Sequence, residues 1–242
     1  MSVFKVFQKL IGLTIVFAFL ALNSNAFAAP AITNIKIEKP AKDSVVLSAN
    51  PKVTLSELTA AGTQDPKTEW SDSAAKYIAE SIAEEMQKRG LVANKIDPAQ
   101  FTDTRAVQVL KLNDAVITSI TMNESPFFKL PTKTEFDWSI GEGAKTLITP
   151  ELQAGTSPPK YAFFIETIGN YSSSGRKVMM VGALLTGNFM PPGQQESRAT
   201  LLDLSNGQIV WYETDKVGIG TDIRTKAGAQ SHIASLFKKL PF

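Results

Sequence analysis

The sequence contains no cysteine and a single histidine, His232. The first absence removes thiol nucleophiles, thiolate metal sites, disulfides and any lipid-bearing anchor cysteine. The second leaves no histidine cluster for zinc or iron, and any serine–histidine–carboxylate triad would depend on His232 alone. An excess of one charge is also missing. Lys and Arg number 25 against 23 Asp and Glu, and Lys5 and Lys9 account for the difference, so the chain beyond residue 28 is formally neutral. Net charge therefore gives no case for nucleic acid or an anionic membrane as partner. There is no P-loop. Gly218-Ile-Gly220 and Gly141-Glu-Gly143 begin like a dinucleotide fingerprint, but Ile223 and Thr146 stand where its third glycine belongs. No cofactor and no metal are expected.

What is present begins with a leader. Lys5 and Lys9 precede an uncharged, mostly apolar run from Leu10 to Leu22, and Ala26-Phe-Ala28 has the small-x-small form of a cleavage site. Residues 1–28 read as a signal peptide, because the apolar run is short of the roughly 18–20 residues that span a bilayer. The mature chain, 29–242, is expected in the periplasm or secreted, without an integral membrane segment. Its length suits a single domain.

Along that domain, Ile32, Ile35 and Ile37 mark an extended amino-terminal segment. Asp43–Leu47 and Val53–Leu55 read as short strands around an Asn50-Pro51 turn, and Leu91–Ile96 as another strand. Ser71–Arg89 reads as a helix: Ser71 or Asp72 can cap it, Ala75, Ile78, Ala79, Ile82 and Met86 share a face, and Gly90 ends it. Glu84–Lys88 and Glu85–Arg89 are favourable i,i+4 pairs, and a solvated face explains Glu84-Glu85 better than acid–base catalysis. A second helix starts near Thr102 or Asp103, its valine-rich second half open to a strand reading. Residues 123–146 are aromatic and irregular, and 144–152 contain a short helix. Thr225 starts a terminal helix with Ala229, Ile233, Leu236 and Leu240 as its buried stripe and His232 at the border.

The stretch that organises the chain is Tyr161–Tyr212. Tyr161–Ile168 and Lys177–Leu185 are apolar runs separated by a loop rich in serine, which reads as a hairpin. Ala199–Leu204 and Gln208–Tyr212 flank Asn206-Gly207, the signature of a type I′ turn. That turn sets Leu204 opposite Ile209 and Leu202 opposite Trp211. Apolar residues on both faces imply a sheet covered on both sides, or covered on one side and associated on the other. The expected fold is α+β or α/β: a mixed, largely antiparallel sheet with two central hairpins, packed by two or three helices including the carboxyl-terminal one.

Few groups offer chemistry. Ser172-Ser-Ser-Gly-Arg176-Lys177 presents amides and two cations to an anion, or is a solvated hairpin loop. Asp222-Ile-Arg224 is a partner contact, or a cap and ion pair. Arg176, Lys177, Asp222 and Arg224 are thus the candidate partner-binding residues. No residue is assigned a catalytic role. Phe127, Phe128, Phe136 and Trp138 line a ligand, or cover one sheet face.

Phe136-Asp-Trp-Ser-Ile-Gly141, Tyr161-Ala-Phe-Phe164, Tyr171 with Gly175-Arg176, Leu202-Asp-Leu204 with Asn206-Gly207 and Val210-Trp211, Asp222-Ile-Arg224 and Leu240-Pro241 come in an order. Together they resemble a family of exported proteobacterial proteins. The second half is also similar to the α/β domain of curli-secretion and penicillin-binding-protein-activator lipoproteins and of the TolB amino-terminal domain. That resemblance implies envelope assembly or partner binding, and it supplies no catalytic residue. The lipoproteins' anchor cysteine is missing here.

The expected function is an exported, non-enzymatic binding or envelope-assembly module, with an envelope protein or cell-wall component as partner, as a monomer or a homo-oligomer. The alternatives are a hydrolase using carboxylates such as Asp203, Asp215 or Asp222, and a carrier of a small apolar ligand. The leader is tested by mass: the periplasmic protein should begin at Ala29. A full-length chain retained in the inner membrane would refute it.

Overall fold

The computed structural model describes residues 37–96, 101, 104–154, 158–218 and 221–242. The leader, Ile32, Ile35, Thr102, Asp103 and Gly220 lie outside the described residues. In chain order the elements are β1 (Val45–Ala49), β2 (Lys52–Leu58), β3 (Gln64–Pro66), α1 (Thr68–Lys88), β4 (Val92–Ile96) and α2 (Thr104–Glu124). A 3-10 turn (Glu142–Leu147) and α3 (Pro150–Gln153) follow. Then come β5 (Tyr161–Ser172), α4 (Ser174–Leu185), β6 (Gln195–Asp203), β7 (Ile209–Lys216) and α5 (Lys226–Phe237). The mixed α/β architecture and the carboxyl-terminal helix match expectation. Five α-helices are present among the described residues, and three of them, α1, α2 and α5, pack the two faces of the sheet as anticipated.

The seven strands form one sheet around β5. One edge of β5 pairs antiparallel with β6, from Tyr161↔Asp203 to Gly169↔Gln195. Its other edge is shared end to end, by β1 along Tyr161–Phe163 and by β2 along Glu166–Ser172, both parallel to it. β4 adds parallel to β1, β3 antiparallel to β2, and β7 antiparallel to β6. Asn50-Pro51 is therefore a break in one continuing strand direction and not a reversal. Pro51 has no N–H to give the ladder, and the register slips by one residue between Ser48↔Phe163 and Lys52↔Glu166.

Side chains of β5 alternate between two cores. Tyr161, Phe163 and Ile165 pack with Ile78, Ile82 and Met86 of α1 and with Ala229, Ile233, Leu236 and Phe237 of α5. Ala162 and Phe164 pack with Ala106, Val109, Ile117 and Ile120 of α2 and with Ala144 and Leu147 of the 3-10 turn. Helices on both faces explain why the central strands are apolar on both faces. All of 104–124 is helix, because Ile117 and Ile120 continue the buried face that Ala106 and Val109 begin. Phe136 and Trp138 rest against this second core, whereas Phe127 and Phe128 are exposed. The aromatic segment thus covers the sheet with only half of its rings.

The first expected hairpin is absent. Ser173 caps a helix by accepting a bond from the Arg176 amide at 3.1 Å, so Lys177–Leu185 is helical and the partner of β5 is β6. The signal was a serine cap followed by methionine, alanine and leucine, all good helix formers. The second hairpin exists with another register: Leu202 pairs with Ile209 and Leu201 with Trp211, across a bulge. Its turn is a longer loop, closed by Gly207 N–H to Asp203 O and Asp203 N–H to Gln208 O, each at 2.8 Å. Asp203 Oδ1 accepts from the Ser205 amide and hydroxyl. This local carboxylate bond outcompetes the two-residue turn. Of Asn206 and Gly207, only Gly207 has positive φ, +73°.

Helix α1 starts before Ser71, whose hydroxyl accepts from Leu55 N–H and donates to Lys67 O, tying α1 to β2. Gly90, at φ +71°, follows its end as expected. Glu85 is not on a solvated face. It is buried and binds Lys88 and Arg89, and Arg89 donates onward to the carbonyls of Phe237 and Phe242. Glu84 pairs with Gln230 and Lys226 of α5 and not with Lys88.

Two variants check this frame. Leu236→Ala should cost about 2–5 kcal/mol, as for other buried leucines. Gly207→Val should cost about 1–3 kcal/mol for backbone strain alone, and more because an added Cβ would collide with the Gly141 carbonyl. Thermal melts read both, and an unchanged Gly207→Val melt would contradict the turn.

Candidate binding cleft

Strand β5 continues past the point where β6 leaves it, and the chain between α4 and β6 is laced back to that end. Asn170 N–H donates to Gln194 O, Asn170 Oδ1 accepts from Gln194 N–H, and Ser172 Oγ accepts from Gly193 N–H. Close approach requires glycine twice: a Cβ on Gly193 would strike the Asn170 carbonyl, and one on Gly169 would strike Gln194 and Gln195. Between this floor, the first turn of α4, the end of β7 and residues 221–224 lies an open cleft of about 720 Å³. That volume lies within the range of small-ligand sites.

The candidate residues from sequence converge here in part. Lys177, Asp222 and Arg224 line the cleft. Arg176 does not. It is buried behind the wall, with Nη2 donating to Pro191 O at 2.9 Å and Nε without a partner. The serine-rich segment is therefore the cap and first turn of a helix, not an anion-binding hairpin loop. Asp222 and Arg224 hold each other in a two-pronged pair at 2.9 and 2.7 Å. The guanidinium stacks 3.9 Å from the Tyr171 ring centroid and 4.4 Å from that of Trp70. Tyr171 OH accepts from Ile223 N–H at 3.1 Å. Burial, reinforced by Asp222, pushes its hydroxyl up to about 12. The Arg224 hydrogen bond holds the Asp222 carboxyl below its ordinary range. An exposed ion pair contributes about 0–1 kcal/mol, so the aromatic stacking matters as much as the charge in fixing this wall.

Glu196, the other acid on the cleft, is bound by Arg198. Lys177 and Lys216 are different. Both line the cleft, and neither side chain has a partner among the described residues. Lys216 was not singled out from sequence. Its signal was weak, since only the β6–β7 register carries the end of β7 to this cleft.

A triad-like constellation exists elsewhere. Ser197 Oγ lies 2.7 Å from His232 Nε2, and Asp215 Oδ2 lies 3.7 Å from Nδ1. Thr167 Oγ1 shares a 2.7 Å bond with the same serine. Ser197 and Thr167 are fully buried under α5 and His232 nearly so, so no substrate carbonyl reaches Oγ. His232 is thus inside the core and not at its border. The carboxylates of the hydrolase alternative are also held apart: Asp203 binds Ser205 in the hairpin loop, Asp215 binds Lys239, and Asp222 binds Arg224. A raised carboxyl does occur at the end of α2, where burial, then Glu213, pushes Glu124 up to about 7. No helix among the described residues is long and apolar enough to cross a membrane.

No family model and no curated protein matches the chain. Among solved structures, it is similar to one from Helicobacter pylori described as a neuraminyllactose-binding hemagglutinin homolog. The identity is 8%, the TM-score 0.38, and the match covers 88% of this chain and 92% of that one. So distant a likeness says nothing about what this cleft holds.

The buried His232 and the half-buried Glu124 should give opposite pH dependences. Desolvation lowers His232 from 6.5 despite Asp215, so the unfolded chain binds the proton more tightly. The stability it contributes is whole above pH 6.5 and is lost as pH falls through the depressed folded value. Glu124 rises from 4.5 to about 7, so the folded chain binds the proton more tightly and stability is lost as pH rises through that window. Melting temperature against pH should show a weaker acid loss in His232→Gln. Glu124→Gln should be stabilised above pH 7. Profiles parallel to the wild type would contradict both assignments.

Proposed function

We propose that the protein is an exported, periplasmic binding module without catalysis of its own, and that its cleft at the end of β5 receives an envelope protein or cell-wall component. The observation that carries this reading is the cleft's charge pattern. Asp222 and Glu196 are neutralised in place by arginines, while Lys177 and Lys216 stand without partners among the described residues. A wall arranged this way is built to hold an incoming group and has nothing with which to activate one: it contains no histidine and no paired carboxylates. Ile168, Met180, Pro192 and Val217 add apolar surface between the cations, as binding sites typically do. The sequence resemblance to envelope-assembly domains points the same way. The hydrolase alternative is disfavoured by the separation of Asp203, Asp215 and Asp222.

The test is capture from periplasmic extract. Ile168→Trp fills the cleft from a half-exposed position and should abolish capture without lowering the melting temperature. Phe127→Ser, at an exposed ring outside the cleft, should leave capture intact. The reverse result would move the site to the aromatic segment and refute the cleft.

A further inference from the structure

We propose that the outer face of α4 docks the protein on a lipid surface, with Lys177 and Lys216 taking the charge of anionic headgroups at the mouth of the cleft. Arg176 is the only buried residue of this helix. Val178, Val181, Leu184 and Leu185 are 73, 62, 71 and 84% exposed, and Phe189 beyond the helix is 80% exposed. Val178, Val181 and Leu185 recur at i, i+3 and i+7, and Leu184 lies beside them. At the helical repeat they form one apolar stripe facing away from the body. Scattered exposed aliphatics are normal on a protein surface, but a contiguous stripe of this kind marks a contact.

The occupant follows from shape and charge. Twelve residues of helix make a single convex ridge about 18 Å long. A stable contact with another protein, including a second copy, needs a surface shaped to complement that ridge. A bilayer needs no matching surface, since each inserted side chain contributes by itself. Apolar insertion of this size gives only marginal binding, and a second, basic signal is required. Between Ser172 and Gln195 there is no acidic residue. Lys177 precedes Val181 by one helical turn and Leu184 by two. These spacings place it in line with the stripe, at the end where α4 borders the cleft, and Lys216 lines the same cleft. Overall neutrality does not oppose this, because screening at physiological salt limits each charge to about 8 Å.

The experiment is sedimentation of the protein as exported, its amino terminus read by mass. Vesicles of phosphatidylethanolamine with phosphatidylglycerol are compared with vesicles of phosphatidylcholine alone. Binding should favour the anionic vesicles and weaken with salt. Leu184→Ser/Leu185→Ser should lower it at least about tenfold on both kinds, and Lys177→Gln/Lys216→Gln about tenfold on the anionic kind only. Because the variants at 184 and 185 leave the cleft lining unchanged, they should still capture a periplasmic partner, which separates this inference from the cleft reading. If they fold poorly, Phe189→Trp supplies a second measurement: its emission should shift to the blue on adding anionic vesicles. Three results would overturn the proposal: vesicle binding unchanged by the serine variants, no Phe189→Trp shift, or a dimer abolished by those variants with no vesicle binding.

Discussion

The structure depends on the enclosure of β5. Both of its edges are hydrogen-bonded and both of its faces are covered along Tyr161–Thr167, so its backbone polar groups are satisfied where burying them unpaired would cost most. The two strands sharing one edge fix the break at Pro51. The antiparallel edge fixes β6 and, through it, β7. The alternation of Tyr161, Phe163 and Ile165 against Ala162 and Phe164 assigns α1 and α5 to one layer and α2 to the other. Arg89 then ties α1 to the backbone oxygens of Phe237 and Phe242.

The interior satisfies its polar groups locally, and this decides what the molecule can do. Thr167, Ser197 and His232 bond to one another beneath α5, with Asp215 beyond them. Catalytic vocabulary is present there without access for a substrate. At the cleft the same economy neutralises Asp222 and Glu196. Near one end of β5 the fold leaves unmatched, among the described residues, the lysines at positions 177 and 216 and the apolar stripe of α4. Groups without partners inside the chain are where outside partners have the most to contribute, because a new contact there breaks no existing one.

Some of this architecture is legible without coordinates. The helical spacing around Ile78, Ile82 and Met86, the stop at Gly90 and the terminal stripe of Ala229, Ile233 and Leu236 are local periodic patterns, and they form where expected; the terminal helix ends at Phe237, so Leu240 is buried from the turn beyond it. Apolar residues on both faces of Ala199–Tyr212 left cover on both sides or association on one, and the helices on both faces decide for the first. The run from Lys177 to Leu185 fails because apolarity alone does not distinguish a buried strand from an exposed helix. Its serine cap was the better guide. Asn206-Gly207 marks a turn, but Asp203 bonding to Ser205 lengthens it and shifts the register. Arg176 and Lys177 are adjacent in sequence yet have different fates, because helical geometry turns one inward and the other toward the cleft.

The sequence by itself determined the absence of thiol and histidine-cluster chemistry, the mixed α/β class, the long helices and the approximate place of the central strands. These rest on composition and on short-range repeats, which are properties of the chain before it folds. Tertiary structure alone decided that β5 pairs with β6, that His232 is sealed against Ser197, and that Lys216 joins Lys177 at one cleft. Each of these joins residues distant along the chain, and no local pattern encodes which distant group will satisfy a buried donor or leave a cation exposed.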